Sequence, residues 1–342
     1  MFMPRKTTVL FIWEVDENIR SYLSARLEQA RNVELIFPFD TSQENLIQLA
    51  PNANIIVGWR PTKELLTAAN ELQLFINPGA GVQHLTDLFK EINRFRSILL
   101  ANCHGNSYFV AQHAVALLLA LTNKVIPHHN WMVAGEWRKG DEDAKSSPLK
   151  HRTIGLLGYG AVNQKVHRFL SGFDLEFSIF RRDWSKQHSE LPTPARTHCY
   201  PKLHRFLDEV DILFVAVPLT ALTRGLVQMK ELKLLGSTGL LVNVARGNVI
   251  DEESLFLALR NNVISGAALD VWYAYDPSAD SQGRRYPFSH PFHTLQNVVL
   301  SPHRAASPLD DLTRWDEVIE NIEKFAKGDT KLRNIIDLAQ EY

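Results

Sequence analysis

Thr153 to Val166 reads TIGLLGYGAVNQKV, and no other stretch restricts the fold as much. Ile154, Leu156 and Leu157 make a short buried strand, and Gly158, Tyr159 and Gly160 a tight turn. Ala161 to Leu170 continues at helical spacing, with Val162, Val166, Phe169 and Leu170 apolar. Strand, glycine turn and helix in that order are what a dinucleotide phosphate needs. The glycines let backbone approach the pyrophosphate, and the helix start supplies unpaired N–H groups and a positive dipole end. The G-x-G-x-x-G pattern has a third glycine for close helix–strand packing. Here that position is Asn163, which leads us to expect a slightly displaced helix. Taken alone, the stretch also fits an ordinary βα turn.

The chain has 342 residues, enough for two domains. Its formal net charge of −1 gives no electrostatic footprint for nucleic acid or an anionic membrane. Two cysteines, Cys103 and Cys199, fit a reducing cytoplasm better than a disulfide framework. TVLFIWEV near the N-terminus is too short for a secretory core and reads as a strand. Ala114 to Leu121 is uninterruptedly apolar but well short of a membrane span, and reads as a buried helix.

The first hundred residues alternate strand and helix. TVLFIWEV, VELIFP, NIIVGW, LQLFINP and SILLANC are short apolar runs, and Asn18 to Ala30 is helical with Ile19, Tyr22, Leu23 and Leu27 on one face. That rhythm implies βαβ units and a parallel sheet buried on both faces. After one of these strands, NPGAGV (77–82) offers a glycine-rich loop whose N–H groups suit a carboxylate, or is simply a flexible turn. Phe109 to Thr122 reads as a long apolar helix leading into a second domain, and Val125 to Lys150 as a packed arm or a subunit contact. From Thr153 a second series follows, with strands TIGLLGYG, LEFSIFRR, DILFVAVP, GLLVNVA, GAALDVW and VVLSPH. Six strands with intervening helices fit a doubly wound sheet. Ser307-Pro308 reads as the cap of a last helix with Leu312, Trp315, Val318, Ile319, Ile322 and Phe325 apolar and Gly328 ending it. That helix is expected to return to the first domain and make it discontinuous.

Ligands of open parallel sheets bind beyond the carboxyl ends of the strands. Val217-Pro218-Leu219-Thr220, Asn243 to Gly247, Ala268 to Trp272 and Ser301 to Arg304 close four of them. An arginine, an aspartate and a histidine thus share one rim. Arginine holds a carboxylate bidentately and polarises an adjacent carbonyl, and histidine exchanges a proton near neutrality. The set suits hydride transfer between a nicotinamide and a 2-hydroxy or 2-oxo acid. Cys103-His104 and His290 to His293 contain soft ligands without a second pair, so no metal is expected, and His128-His129 reads as solvated.

NPGAGV, the N-x-x-x-V-A-x-H run from Asn106 to His113, GLLGYGAV, VPLTALTRGLV, LLVNVARGNVIDEESL, GAALDVW and LSPH resemble the D-isomer-specific 2-hydroxyacid dehydrogenase family in order and spacing, over nearly the whole chain. The resemblance implies two doubly wound parallel-sheet α/β domains, a flavodoxin-like substrate domain and a Rossmann dinucleotide-binding domain, with a cleft between them. The expected division is 1–105 with 303–342, and 106–302. It implies a nicotinamide cofactor held by Gly158 to Val162, Val217, Pro218, Thr220 and Ala245, with Asp270 facing the carboxamide, and a homodimer. Arg246 would bind substrate and His303 act as acid/base. The amides of Ala80, Gly81 and Val82 would hold the substrate carboxylate.

The chain departs from the family pattern at Asn163, at Gln112 (a usual glutamate), at Arg181 (a usual acidic residue) and in DVWYAYDP. That last segment usually carries the histidine's glutamate partner. Here Tyr275 holds the expected offset and Asp276 follows it, so Asp276 is expected as the partner, with Tyr275 lining the substrate pocket as the other arrangement. Arg181 and Arg182 can pair with a 2′-phosphate, which favours NADP over NAD; the opposing arrangement has Asp183 on the ribose. The function expected is an NAD(P)-dependent oxidoreductase interconverting a 2-oxo acid and a D-2-hydroxy acid. A dinucleotide-binding regulatory protein of the same fold and a formate-dehydrogenase-like oxidoreductase stay open beside it.

Overall fold

The structure, a computed structural model, describes residues 6–30, 32–142, 144–185, 190–307 and 311–342. The chain divides into two compact units, Met1–Asn106 with Pro308–Tyr342, and Ser107–Ser307.

The first unit holds strands β1 (Thr7–Phe11), β2 (Val33–Ile36), β3 (Ile55–Val57), β4 (Leu74–Asn77) and β5 (Leu99–Asn102). All neighbours pair in parallel, in the order β2-β1-β3-β4-β5. The order reverses between β1 and β3, and a crevice opens there at the strands' carboxyl ends. β1, β3 and β4 are buried along their whole length, as apolar runs without alternation require when helices cover both faces. Helix Glu17–Leu27 starts at Asp16, whose side chain accepts from the Asn18 amide. Near the C-terminus a 3₁₀ turn, Leu312–Trp315, leads into helix Asp316–Ala326. Val318, Ile319 and Ile322 of that helix share a core with Val9, Phe11, Leu23 and Leu27. The cap of this segment is Asp311, which accepts from the Thr313 amide, rather than Ser307-Pro308, of which Pro308 lies outside the described residues. Gly328, at φ +73°, stops the helix in the left-handed conformation glycine tolerates.

The second unit holds β6 (Thr153–Leu157), β7 (Glu176–Arg181), β8 (Arg196–Cys199), β9 (Ile212–Val215), β10 (Leu240–Asn243), β11 (Gly266–Leu269) and β12 (Val298–Leu300). They form one parallel sheet ordered β12-β11-β10-β9-β6-β7-β8, whose switch point lies between β6 and β9. The sheet has one strand more than the sequence led us to expect. β8, RTHC, carries no apolar run because it pairs only with β7 at the sheet edge. Helix Ser107–Thr122 buries Ala111, Ala114, Leu118 and Leu121 against Ile154, Leu156 and Val166. Helix Val125–Val133 follows it within the expected arm. His128 is not solvated as expected, since its Nε2 lies 2.9 Å from the Ala144 carbonyl. No single helix among the described residues is long and apolar enough to cross a membrane.

The units divide after Asn106 and after Ser307, so the expected boundary at 303 is corrected. His303 belongs to the second unit because Asp270 binds the backbone that follows it, as described next.

Candidate active site

Gly158 ends β6 at φ +84°, and a Cβ there would stand 2.7 Å from the Ala216 carbonyl oxygen and from Val217 Cγ1. Only glycine lets the turn lie this close to the end of β9. At Gly160 a Cβ would meet nothing within 4 Å, so the backbone faces open space in front of helix Ala161–Leu170. No side chain caps that helix, which leaves its first amides for an anion. The pattern's third glycine is replaced by a working polar residue. Asn163 is fully buried and its Nδ2 donates to the carbonyls of Gly158 at 2.6 Å and Leu157 at 3.3 Å, tying helix to strand. Tyr159, between the glycines, points inward. Its hydroxyl lies 2.8 Å from His167 Nδ1, and His167 Nε2 lies 2.9 Å from Thr193 Oγ1. Burial lowers the His167 pKa to about 4 and raises that of Tyr159 to about 12, so both are neutral.

Arg181 closes β7, and its guanidinium lies 5.8 Å from the centre of the Trp184 ring. Arg182 is exposed beside it. Asp183 is turned onto its own loop, accepting from the Ser185 amide at 2.8 Å and the Ser185 hydroxyl at 2.6 Å. At the end of β9, Thr223 Oγ1 donates to the Pro218 carbonyl at 2.6 Å and accepts from the Thr220 amide at 2.8 Å, closing the turn that carries Val217, Pro218 and Thr220.

The three neighbouring strands β10, β11 and β12 carry the reactive side chains. Asn243, buried at the end of β10, shapes the next turn: its Oδ1 accepts from the Ala245 amide at 3.0 Å, and its Nδ2 donates to the Arg246 carbonyl at 3.1 Å. Gly247 follows because a side chain there would run into the backbone of Trp272, its Cβ 2.3 Å from the carbonyl oxygen. Arg246 donates from Nη1 to the Ala245 carbonyl, and burial lowers its pKa from a very high value, so it stays charged.

Asp270, 1% exposed, is the organising residue. Its Oδ1 accepts from the Ser301 hydroxyl at 2.5 Å and the Arg304 amide at 2.7 Å, and its Oδ2 from the Ala305 amide at 3.0 Å. His113 Nε2 lies 3.5 Å from Oδ1 and 2.9 Å from Ser301 Oγ. Despite desolvation, these bonds keep the carboxylate's pKa below its ordinary value. In this structure Asp270 therefore builds the histidine loop, a role the expected nicotinamide contact had not suggested. Trp272 adds a second tie, its Nε1 donating to the Ser301 carbonyl at 2.8 Å. His303 itself sits at φ +56°, a left-handed conformation that costs about 1 kcal/mol or more and persists because Ser301 before it and the amides of Arg304 and Ala305 after it are fixed.

His303 is exposed at the surface of its unit, and its ring stands edge-on to that of Tyr275 at 5.2 Å between centroids. Desolvation by the surrounding protein and the charge of Arg246 lower its pKa, opposed by Asp270. No hydrogen bond or ion pair joins His303 to Asp276, which is exposed; the ring beside the imidazole is that of Tyr275. Tyr275 is 58% exposed, and its hydroxyl accepts weakly from the Trp272 amide at 3.5 Å. Burial raises the Tyr275 pKa, so the group is neutral at neutral pH.

In the first unit, the loop after β4 has its carbonyls engaged and its amides free. Asn77 Nδ2 donates to the carbonyls of Gly79 at 2.5 Å and Gly81 at 3.3 Å, and Asn102 Nδ2 to that of Ala80 at 2.6 Å. The amides of Ala80, Gly81 and Val82 donate to none of the described residues. Successive N–H groups turned one way make an anion nest. Asn77, Asn102, Asn243, His113, Ser301 and Trp272 had no assigned role in the sequence reading. Each lies inside a quoted motif or at a strand's carboxyl end, which is the signal available for them.

A model of the D-isomer specific 2-hydroxyacid dehydrogenase NAD-binding domain matches residues 115–305. Glyoxylate reductase of Pyrococcus furiosus is 32% identical over 297 residues, covering 84% of this chain and 83% of that protein. Among solved structures, an acyclic imino acid reductase in complex with NADPH and D-Arg superposes with TM-score 0.76 at 23% identity, over 97% of this chain and 100% of that one. An NADPH-dependent glyoxylate/hydroxypyruvate reductase of Sinorhizobium meliloti does so with TM-score 0.73 at 24% identity, over 97% and 98%. At these identities the two structures establish the fold.

Proposed function

The chain belongs to the D-isomer-specific 2-hydroxyacid dehydrogenase family, and we propose that it reduces a 2-oxo acid to a D-2-hydroxy acid with NADPH. The observation that carries this reading is the pair Arg246 and His303 at the ends of β10 and β12, on either side of β11 and close enough for the arginine's charge to depress the imidazole pKa. When bound, the dihydronicotinamide supplies a hydride to the carbonyl carbon. Gly158 to Val162 would take its pyrophosphate, the turn at Val217, Pro218 and Thr220 and the backbone at Ala245 would line it, and Arg181 and Arg182 would take a 2′-phosphate.

Arg246 would pair with the substrate carboxylate and polarise the oxo group, developing its charge in a site where water competes weakly. Protonated His303 would hand its proton to the carbonyl oxygen as that oxygen becomes a hydroxyl. The amide nest at Ala80, Gly81 and Val82 would take a carboxylate oxygen. Asp270 would act through position, since it fixes the loop and contributes no proton. The relatives' glyoxylate reductase name supports a 2-oxo acid substrate. The exposed Met132, Val133 and Trp137 of the arm support the homodimer.

The missing carboxylate beside His303 favours one other reading, a dinucleotide-binding regulatory protein with weak or no turnover. Oxidation of NADPH and NADH with glyoxylate, hydroxypyruvate, pyruvate and phenylpyruvate separates the two. Turnover of at least one acid, faster with NADPH, is expected; tight cofactor binding without turnover of any acid favours the regulatory protein.

A further inference from the structure

Trp184 lies between β7 and β8 and joins three parts of the second unit. Its Nε1 donates to the His198 carbonyl of β8 at 2.9 Å. Its ring stands 6.3 Å from that of Tyr159 in the glycine turn, at 32°. The guanidinium of Arg181, at the end of β7, lies over the same indole, 5.8 Å from its centroid. Each support is itself fixed. Tyr159 is 3% exposed, and its hydroxyl meets fully buried His167. Neutral His167 serves two neighbours at once, its Nδ1 accepting from the phenol and its Nε2–H donating to Thr193 Oγ1 at 2.9 Å. Thr193 follows Trp184 before β8, so this connection is tied to helix Ala161–Leu170 at a second point. Trp184, Leu191 and Ala195 pack against the core that holds Tyr159 and Val166. β8 pairs with β7 with Arg181 opposite Cys199, next to the residue whose carbonyl binds the indole.

A long arginine side chain loses rotamer entropy when a ligand orders it. A support that orders it beforehand removes that cost from binding. A carboxylate would do so by cancelling the charge that a phosphate needs. The face of an indole attracts the guanidinium and leaves both its charge and its in-plane N–H donors for an oxyanion. Asp183, the carboxylate next to Trp184 in sequence, is engaged by the Ser185 amide and hydroxyl.

We propose that Trp184 is a positioning residue for cofactor selection: it holds Arg181 in place for a 2′-phosphate and so strengthens the preference for NADPH. The inference rests on the NADPH reading and adds a residue that acts through the arginine rather than on the cofactor. Its test is the ratio of the Kd for NADH to the Kd for NADPH, measured by calorimetry without substrate. Wild type should favour NADPH. Trp184→Leu should lower the ratio about threefold or more, the worth of one cation–π contact. Trp184→Phe, which keeps a ring face but no N–H, should retain most of it. In an Arg181→Ala background, Trp184→Leu should lower the ratio no further, since the two residues act as one. Trp184→Met, a flexible apolar filler, replaces the leucine variant should that fail to fold. A folded leucine or methionine variant with the wild-type ratio overturns the positioning role alone. So does a phenylalanine variant that falls as far as leucine, or an undiminished loss in the Arg181→Ala background. A wild type that binds NADH as tightly as NADPH overturns the NADPH reading, and the proposal with it.

Discussion

The ring of Tyr275 stands at 63° to the imidazole of His303, with 5.2 Å between centroids. The ring beside the imidazole is thus a phenol's, and no carboxylate among the described residues hydrogen-bonds to the imidazole. The charged groups acting on the imidazole are Arg246, which lowers its pKa, and Asp270, which raises it; burial lowers it further.

The pH profile follows from that balance. Reduction needs the protonated imidazole, so activity should fall as pH rises through a value below the ordinary pKa of about 6.5. Tyr275→Glu should move that midpoint upward, because a carboxylate favours the charged imidazole. Asp276→Asn should leave it in place. A wild-type midpoint above about 7, or a lower one in Asp276→Asn, contradicts the arrangement.

Asp270→Asn tests the loop. The substitution keeps the volume but replaces one acceptor oxygen with a donor facing the Ser301 hydroxyl or the Arg304 and Ala305 amides. Stability should drop by about 1–3 kcal/mol, measured by thermal or urea unfolding. Turnover should fall more than KM rises, since the histidine is displaced while Arg246 remains. An unaltered turnover would show that the loop holds its shape without the carboxylate.

On the proposed function, Arg181 and Arg182 set the cofactor choice. Replacing both with alanine should raise KM for NADPH roughly tenfold to a hundredfold, the worth of a charge-assisted contact or two, with little change for NADH. Equal effects on both cofactors, or a wild type preferring NADH, would place the 2′-phosphate elsewhere.

His167 gives an acid-stability signature. Its folded pKa of about 4 lies below the ordinary value, so neutral His167 adds stability in full above about pH 6.5, lost progressively as pH falls toward 4. The loss amounts to at most about 3 kcal/mol. His167→Gln, which cannot charge, should flatten the decline in Tm between pH 6.5 and 4.5. A slope identical to wild type would mean that other groups carry it.

Much of both sheets was legible because strands buried on both faces read as uninterrupted apolar runs, as β1, β3, β4 and β6 do. β8 was not, since an edge strand with polar sequence has no such run. The residues of the site were legible by type and position at strand ends. Their partners were not, because hydrogen bonding across loops leaves no periodicity: nothing in the sequence says that Asp270 accepts from residues more than thirty positions later. The same bonds moved the unit boundary from 303 to 307. Tyr275 against Asp276 was a choice of one residue in a loop, where register is set by three-dimensional closure rather than by pattern.

The most direct measurement is the steady-state reduction of glyoxylate by NADPH in wild type, Arg246→Ala and His303→Ala. Wild type should turn over. Arg246→Ala should lose both affinity and turnover, and His303→Ala should lose turnover by roughly a hundredfold or more with KM little changed. Near-normal turnover in both folded variants would contradict the assignment of the chemistry to this pair.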